Sequence, residues 1–370
     1  MMGWWQIYLI VVFMALALGL ALTPLFQKLA EKLKFYDKPL EQAHKSHQKV
    51  TPLLGGLAIF IAWLVTISLG ICAARLIDHT HFSNIVTSNL PGMSAVSWKL
   101  FFICLGALVA VLVGLYDDCF SMSAKAKLLG QIAAAAIAVT WGGVRITVFF
   151  NDPVITWMIS VFWYLLLFNA INFFDNMDGL AAGTAAIALS FFTIAAALSQ
   201  QYFVAAIGAA AAGAVVGFWF YNHSPASIFM GDSGSHFLGY ILATVSAGAT
   251  FYNPEMALTR FPVLIPLFVL AIPLFDTAAV VVIRLYNHKP IYVGDNNHIS
   301  HRFLHMGMTR RESVFLVHLL EIMIGLSVLP LMWGDEKTTA VSIIQACVIL
   351  LFVSSIQYYV IMRKQVSDRH

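Results

Sequence analysis

The chain has 370 residues, is 60% hydrophobic and only 11% charged, and carries a formal net charge of +3. A water-soluble domain carries about 25% charged residues, so this composition excludes an ordinary soluble enzyme and predicts a polytopic membrane protein organised by the bilayer. No nucleic-acid partner is expected.

The chain opens on Met1-Met2-Gly3-Trp4-Trp5. No positive segment precedes its first apolar run and no small-residue cleavage site follows it, so the run is expected to stay as a first span with interfacial aromatics. Runs of about 20 apolar residues, the length a helix needs to cross the hydrocarbon, then recur. Spans are expected at 4–26, 53–75, 98–116, 128–143, 154–172, 179–199, 203–221, 235–252, 262–284, 313–333 and 339–362. The fourth is interrupted by Trp141-Gly142-Gly143, and the gap between the sixth and seventh is very short. The four cysteines (Cys72, Cys104, Cys119 and Cys347) have neither metal-ligand spacing nor a disulfide framework and are expected as small packing residues. Gly179 with Gly183, and Gly213 with Gly217, predict close helix contacts.

About eleven spans place most of the basic loop residues on one side, including Lys28, Lys32, Lys34, Lys38, Lys45, Lys49, Lys125, Lys127, Arg302, Arg310 and Arg311. The opposite side holds Arg75, Lys99, Arg145, Arg260 and Lys337. By the positive-inside rule the richer side is cytoplasmic, with the N-terminus outside and the C-terminus inside. The whole chain, 1–370, then forms one integral membrane domain: an all-α bundle around a cytoplasmic-facing cleft.

The carboxylates fall on that same side. They are Asp117-Asp118, Asp175 with Asp178, Asp232 within Gly231-Asp232-Ser233-Gly234, Asp276, and Asp295. Charges at the ends of apolar runs are costly unless they have a partner or a metal, so the pattern predicts one polar site assembled from many helix ends. Asn169, Asn172, Asp175 and Asp178 recur every three residues and would share a helix face. Oxygen ligands of this kind suit Mg²⁺, which bridges carboxylates to substrate phosphates. The glycines around Asp232 precede a helix whose free N–H groups would favour an anion. Lys49, Lys125, Lys127 and Arg302 supply the cations that phosphates need. The chemistry these residues suit is metal-assisted phosphoryl transfer at a membrane surface. A transporter is the competing class, but its charges would sit at broken helices near the midplane of repeated halves, and no halves are visible.

Asp276 lies slightly inside a span, where pairing with Arg284 or with another helix is as well motivated as a role in the site. His318 and Glu321, at i and i+3 in the tenth span, are read mainly as helix-packing groups.

A set of ordered motifs carries a family resemblance. They are Asp37-Lys38-Pro39, His47 to Gly56, Gly114-Leu115-Tyr116-Asp117-Asp118, Asn169-Ala170-Ile171-Asn172 running to Asp178-Gly179-Leu180, Phe229 to Ser235, and His298-Ile299-Ser300-His301-Arg302. In this order they resemble the polyprenyl-phosphate N-acetylhexosamine-1-phosphate transferases, particularly the bacterial branch that starts O-antigen, enterobacterial common antigen and teichoic acid synthesis.

The resemblance implies about ten or eleven helices in the bacterial inner membrane, with Mg²⁺ as cofactor and Mn²⁺ as a possible substitute. It implies undecaprenyl phosphate and a UDP-N-acetylhexosamine, most readily UDP-GlcNAc, as substrates, UMP as the released product, and a homodimer as a possible assembly. By motif, Asp232 and Asn172 would hold the metal. Asp117 would orient or deprotonate the lipid phosphate, Asp118 would support that site, and Lys127, with Lys125 as second candidate, would meet a phosphate. Asp175 and Asp178 would line the nucleotide pocket, with Lys49 on the nucleotide side. His298, His301 and Arg302 would hold the diphosphate and sugar.

Two departures stand out. Asn176 replaces the more usual Gly, and the consecutive histidines of the peptidoglycan branch, which handles UDP-MurNAc-pentapeptide, are missing.

Overall fold

The computed structural model describes residues 3–37, 50–76, 84–147, 150–251, 258–290 and 298–367. Nearly every apolar run in them is helical. In chain order the helices are α1 (Trp4–Lys32), α2 (Gly55–Leu76), α3 (Asn84–Phe120), α4 (Ala124–Thr140), α5 (Pro153–Phe174), α6 (Leu180–Leu198) and α7 (Tyr202–Asn222). There follow α8 (Gly231–Gly248), α9 (Ile265–Val269), α10 (Ala271–Tyr286), α11 (Ile299–His305), α12 (Arg310–Val328) and α13 (Glu336–Ser367). Local chemistry sets several starts. Ser123 caps α4 by accepting from Ala126 N, Asp152 accepts from Val154 N and Ile155 N ahead of Pro153, and Thr309 with Glu312 forms a capping box on α12.

Among the described residues, eight helices are long and apolar enough to cross a membrane, and a ninth span forms if Phe261–Val269 and Ala271–Tyr286, bent by 67°, count as one. The protein is a multi-pass membrane protein. The remaining expected spans, 128–143 and 235–252, correspond to α4, with 17 residues, and to α8, with 18 residues opening on Gly-Asp-Ser-Gly. Length and apolarity alone do not qualify either of them.

Burial sorts the helices into layers. The apolar windows of α6 and α7 are 72% and 67% buried, against 17% for α1, so the former are interior and the latter faces lipid. Interior α8 is wrapped by α2, α3, α5, α6 and α7. Lipid offers little hydrophobic drive between helices, so backbone proximity must come from small residues. A Cβ at Gly213 or Gly217 would strike the backbone of α1, which accounts for that pair. Gly183 instead lies against the His318 ring of α12, and Gly179 has φ +77 at the turn into α6. Cys72, Cys119 and Cys347 are exposed on the outer helix faces, so only the half-buried Cys104 approaches the expected packing role.

A short antiparallel pair, β1 (Tyr36–Asp37) with β2 (Thr51–Pro52), leads into α2. Leu53 bridges to Phe229, and Gly55 N and Gly56 N donate to Phe229 O and Met230 O at 3.0 and 2.9 Å. This seam locks the starts of α2 and α8 side by side.

Candidate active site

Three helix ends meet where the carboxylates gather. Helix α3 runs further than expected, through Asp117-Asp118, so both carboxylates project from its last turn rather than from a loop. Ser121, at φ 51, turns the chain back into α4. Met122 N donates to Asp117 Oδ1 at 2.6 Å, and Lys127, on the first turn of α4, brings Nζ 2.8 Å from Asp117 Oδ2. The same ammonium lies 2.6 Å from Asp232 Oδ2 on α8. One lysine therefore bridges two carboxylates. All three side chains are mostly buried, at 18%, 12% and 29% exposed for Lys127, Asp117 and Asp232, so the contacts are stronger than a surface pair would be.

Asp118 turns the other way. Its carboxylate accepts from Asp232 N and Ser233 N at 2.7 and 3.0 Å. The helix-start donors expected to hold a substrate anion are thus partly taken by a carboxylate of the protein itself. Gly231 makes room for it: its φ is +70, and a Cβ there would sit 2.6 Å from Asp118 Oδ2.

Asn172, near the end of α5, donates from Nδ2 to Asp232 Oδ1 and Ser235 Oγ at 2.6 and 2.9 Å. A buried chain that sequence reading missed backs the Asp232 turn. His236 Nδ1 lies 2.6 Å from Asp232 O, its Nε2 lies 3.0 Å from Gln131 Nε2, and Gln131 Oε1 accepts from Asn169 Nδ2 at 3.2 Å. These bonds require His236 to donate from Nδ1 and accept at Nε2. The available signal was His236 one helical turn after Asp232.

Asp175 caps α5 and is half-buried. Burial, then the Asp232 and Asp118 carboxylates, push its carboxyl up to about 8. Asp178 Oδ2 accepts from Ala226 N at 3.0 Å, so it also ties down the loop before α8. Asn176, the departure from the family pattern, accepts from Ser300 Oγ at 2.6 Å and so joins the α5–α6 turn to α11. His298, His301 and Arg302 ride on the start of α11. Lys125 is exposed on α4, whereas Lys49 and Asp295 lie outside the described residues.

Four carboxylates (Asp117, Asp118, Asp175 and Asp232) thus share one region with one bridging ammonium. Burial first, and then the neighbouring carboxylates, raise the proton affinity of Asp175. Hard oxygen donors with unbalanced charge fit a divalent cation such as Mg²⁺. With the Asn172 amide nitrogen committed to Asp232 and Ser235, its Oδ1 is the atom able to ligate. Among the described residues, no group of three or more His, Cys, Asp or Glu side chains forms a metal cage on its own.

Burial first, and then neighbouring His298, hold His301 down to about 4, below its ordinary 6.5. A depressed histidine favours the fold while neutral, so its contribution is complete above pH 6.5 and is lost as pH falls toward 4. His301→Gln should therefore flatten the fall in thermal midpoint between those pH values, measured in detergent; an unchanged slope would contradict the burial of a neutral ring.

Residues 100–249, which contain α4 to α8 and most of this geometry, match glycosyl transferase family 4. The chain is 31% identical over 346 residues to the probable undecaprenyl-phosphate N-acetylglucosaminyl 1-phosphate transferase of Bacillus subtilis (strain 168), covering 91% of this chain and 87% of that one. It is 31% identical over 346 residues to the decaprenyl-phosphate N-acetylglucosaminephosphotransferase of Mycolicibacterium smegmatis (strain ATCC 700084 / mc(2)155), covering 84% and 79%. Similarity to the phospho-N-acetylmuramoyl-pentapeptide-transferase of Bacillus cytotoxicus is 34% but spans 252 residues, 63% of this chain and 72% of that one. The chain belongs to glycosyl transferase family 4 and is an enzyme of that family.

Proposed function

We propose that the protein transfers N-acetylglucosamine 1-phosphate from UDP-GlcNAc to undecaprenyl phosphate. The observation that carries this reading is Lys127 bridging Asp117 and Asp232 at 2.8 and 2.6 Å, beside Asn172, at a junction of membrane helices. Such a junction suits two anionic phosphates that must be brought together at a bilayer. The similarity over 91% of the chain to a GlcNAc-1-phosphate transferase, against 63% for a pentapeptide transferase, favours the simpler sugar nucleotide.

In the reaction an oxygen of the lipid phosphate attacks the β-phosphorus of UDP-GlcNAc. A new P–O bond forms, the bond to the bridging oxygen breaks, and that oxygen leaves with its electron pair on UMP. Direct displacement suffices, because the acceptor is already an anionic nucleophile that needs only positioning. Asp117 orients that phosphate, while Lys127 offsets the repulsion between it and the neighbouring carboxylates. Asp118 works indirectly by holding the first turn of α8. Asp232 and Asn172 hold Mg²⁺, which supplies charge neutralisation on the transferring phosphoryl group. Asp175 and Asp178 line the nucleotide side, and His298, His301 and Arg302 face the diphosphate and sugar. The site faces the cytoplasm of a bacterial inner membrane, in keeping with the concentration of basic loop residues on the carboxylate side.

Purified protein given Mg²⁺, undecaprenyl phosphate and labelled UDP-GlcNAc should release UMP and label the lipid. Chelation should stop both, and restored Mg²⁺ should recover them. UMP release from UDP-MurNAc-pentapeptide but not from UDP-GlcNAc would overturn the substrate assignment, and turnover unaffected by a strong chelator would remove the metal.

A further inference from the structure

Helices α10 and α11 meet through one carboxylate. Asp276, on α10, is 1% exposed. Its Oδ2 lies 2.6 Å from His298 Nδ1, and its Oδ1 accepts from Ile299 N at 2.6 Å. His298 is itself 4% exposed, so the contact lies in a low-dielectric setting. A carboxylate that already receives a backbone N–H offers His298 an acceptor, so Nδ1 must carry its proton. Nε2 remains as the second polar atom of the ring. The same carboxylate pins the start of α11, and Ser300 Oγ, two residues on, holds Asn176 in the turn after α5. Asp276 therefore holds Nδ1 as a donor and sets the place of the helix that carries the ring.

We propose that Asp276 is a positioning residue that acts through His298, holding the ring so that Nε2 donates to the diphosphate of the sugar nucleotide. This rests on the reading above that places His298 on the diphosphate side. With a carboxylate at Nδ1 and a diphosphate at Nε2, the ring donates from both nitrogens, as only the imidazolium can. The bond to the anion is then charge-assisted and about twice as strong as a neutral one.

Asp276→Asn separates this role from a plain staple between helices. The asparagine Oδ1 can still accept from Ile299 N, but its Nδ2 then faces Nδ1 as a donor, which holds the ring neutral with its proton on Nε2 and removes the charge assistance from the bond to the diphosphate. Full-length Asp276→Asn, His298→Gln and the double variant would be compared by UMP release while UDP-GlcNAc and undecaprenyl phosphate are varied separately. Asp276→Asn should raise the KM for UDP-GlcNAc about tenfold, leave the KM for undecaprenyl phosphate unchanged, and add nothing to the loss caused by His298→Gln. If Asp276→Asn does not fold, Asp276→Glu, which keeps the charge, takes its place and should retain most of the activity while its effect again vanishes in the His298→Gln background.

A normal Asp276→Asn enzyme, equal effects on both substrates, or losses that multiply in the double variant would overturn the positioning role while leaving the site reading intact. A His298→Gln enzyme with wild-type kinetics would overturn the placement of His298 and the proposal with it.

Discussion

Asp232→Asn should reduce UMP release by at least about a hundredfold, the scale expected when a preorganised electrostatic group is removed from a transferring phosphoryl group. Asp232 is where the site converges: Oδ2 meets Lys127, Oδ1 meets Asn172, its N–H meets Asp118, and its carbonyl meets His236. The two backbone bonds do not depend on the side chain, so Asp232→Asn should keep α8 in place, and turnover should fall far more than the thermal midpoint does. The amide removes the negative charge and presents a nitrogen toward either Lys127 or Asn172, both already donors. Loss of turnover with retained stability would identify a chemical role. Near-normal turnover in Mg²⁺ would remove Asp232 from the metal site.

Asp118→Ala should behave differently, costing stability as well as activity. Its carboxylate satisfies Asp232 N and Ser233 N in the first turn of α8 and places a negative charge at that helix start. Removing it orphans two donors in a half-buried site, at about 3 kcal/mol of stability. The space left in front of Gly231 would also let the Asp232 turn shift. Asp118→Asn keeps one acceptor oxygen and should recover part of the midpoint, measured by thermal unfolding in detergent without substrate. An Asp118→Ala protein with wild-type stability but no turnover would show that Asp118 touches a substrate rather than the helix.

These two aspartates stand side by side in the sequence-derived site, yet the structure gives them different work. Asp117 faces Lys127, while Asp118, one residue on, is rotated by about 100° around the helix and faces α8 instead. Motif order put Asp232 and Asn172 together as expected metal residues and Lys127 ahead of Lys125 at a phosphate; the structure joins the first two by a hydrogen bond and sets Lys127 between Asp117 and Asp232. The chain from His236 through Gln131 to Asn169 was not. It joins residues 105 and 38 positions apart in apolar helices, where a single polar residue gives no pattern. Asp276 was ambiguous for the same reason, because its partner His298 lies 22 positions on, past the end of α10.

The sequence by itself determined that this is a multi-pass helical membrane protein, because hydropathy over about 20 residues is a local property that the bilayer reads directly. It also determined the membership in glycosyl transferase family 4, since the ordered motifs are short contiguous strings and the similarity runs along 91% of the chain. Only the tertiary structure decided what each carboxylate does. It ran α3 through Asp117-Asp118, started α4 at Ala124 so that Lys127 lies in its first turn, bent the pair formed by α9 and α10 by 67°, and filled the N-terminal turn of α8 with a carboxylate of the protein. The physical reason is that a buried charge is governed by its nearest opposite charge or hydrogen-bond partner. In this protein those partners come from other helices.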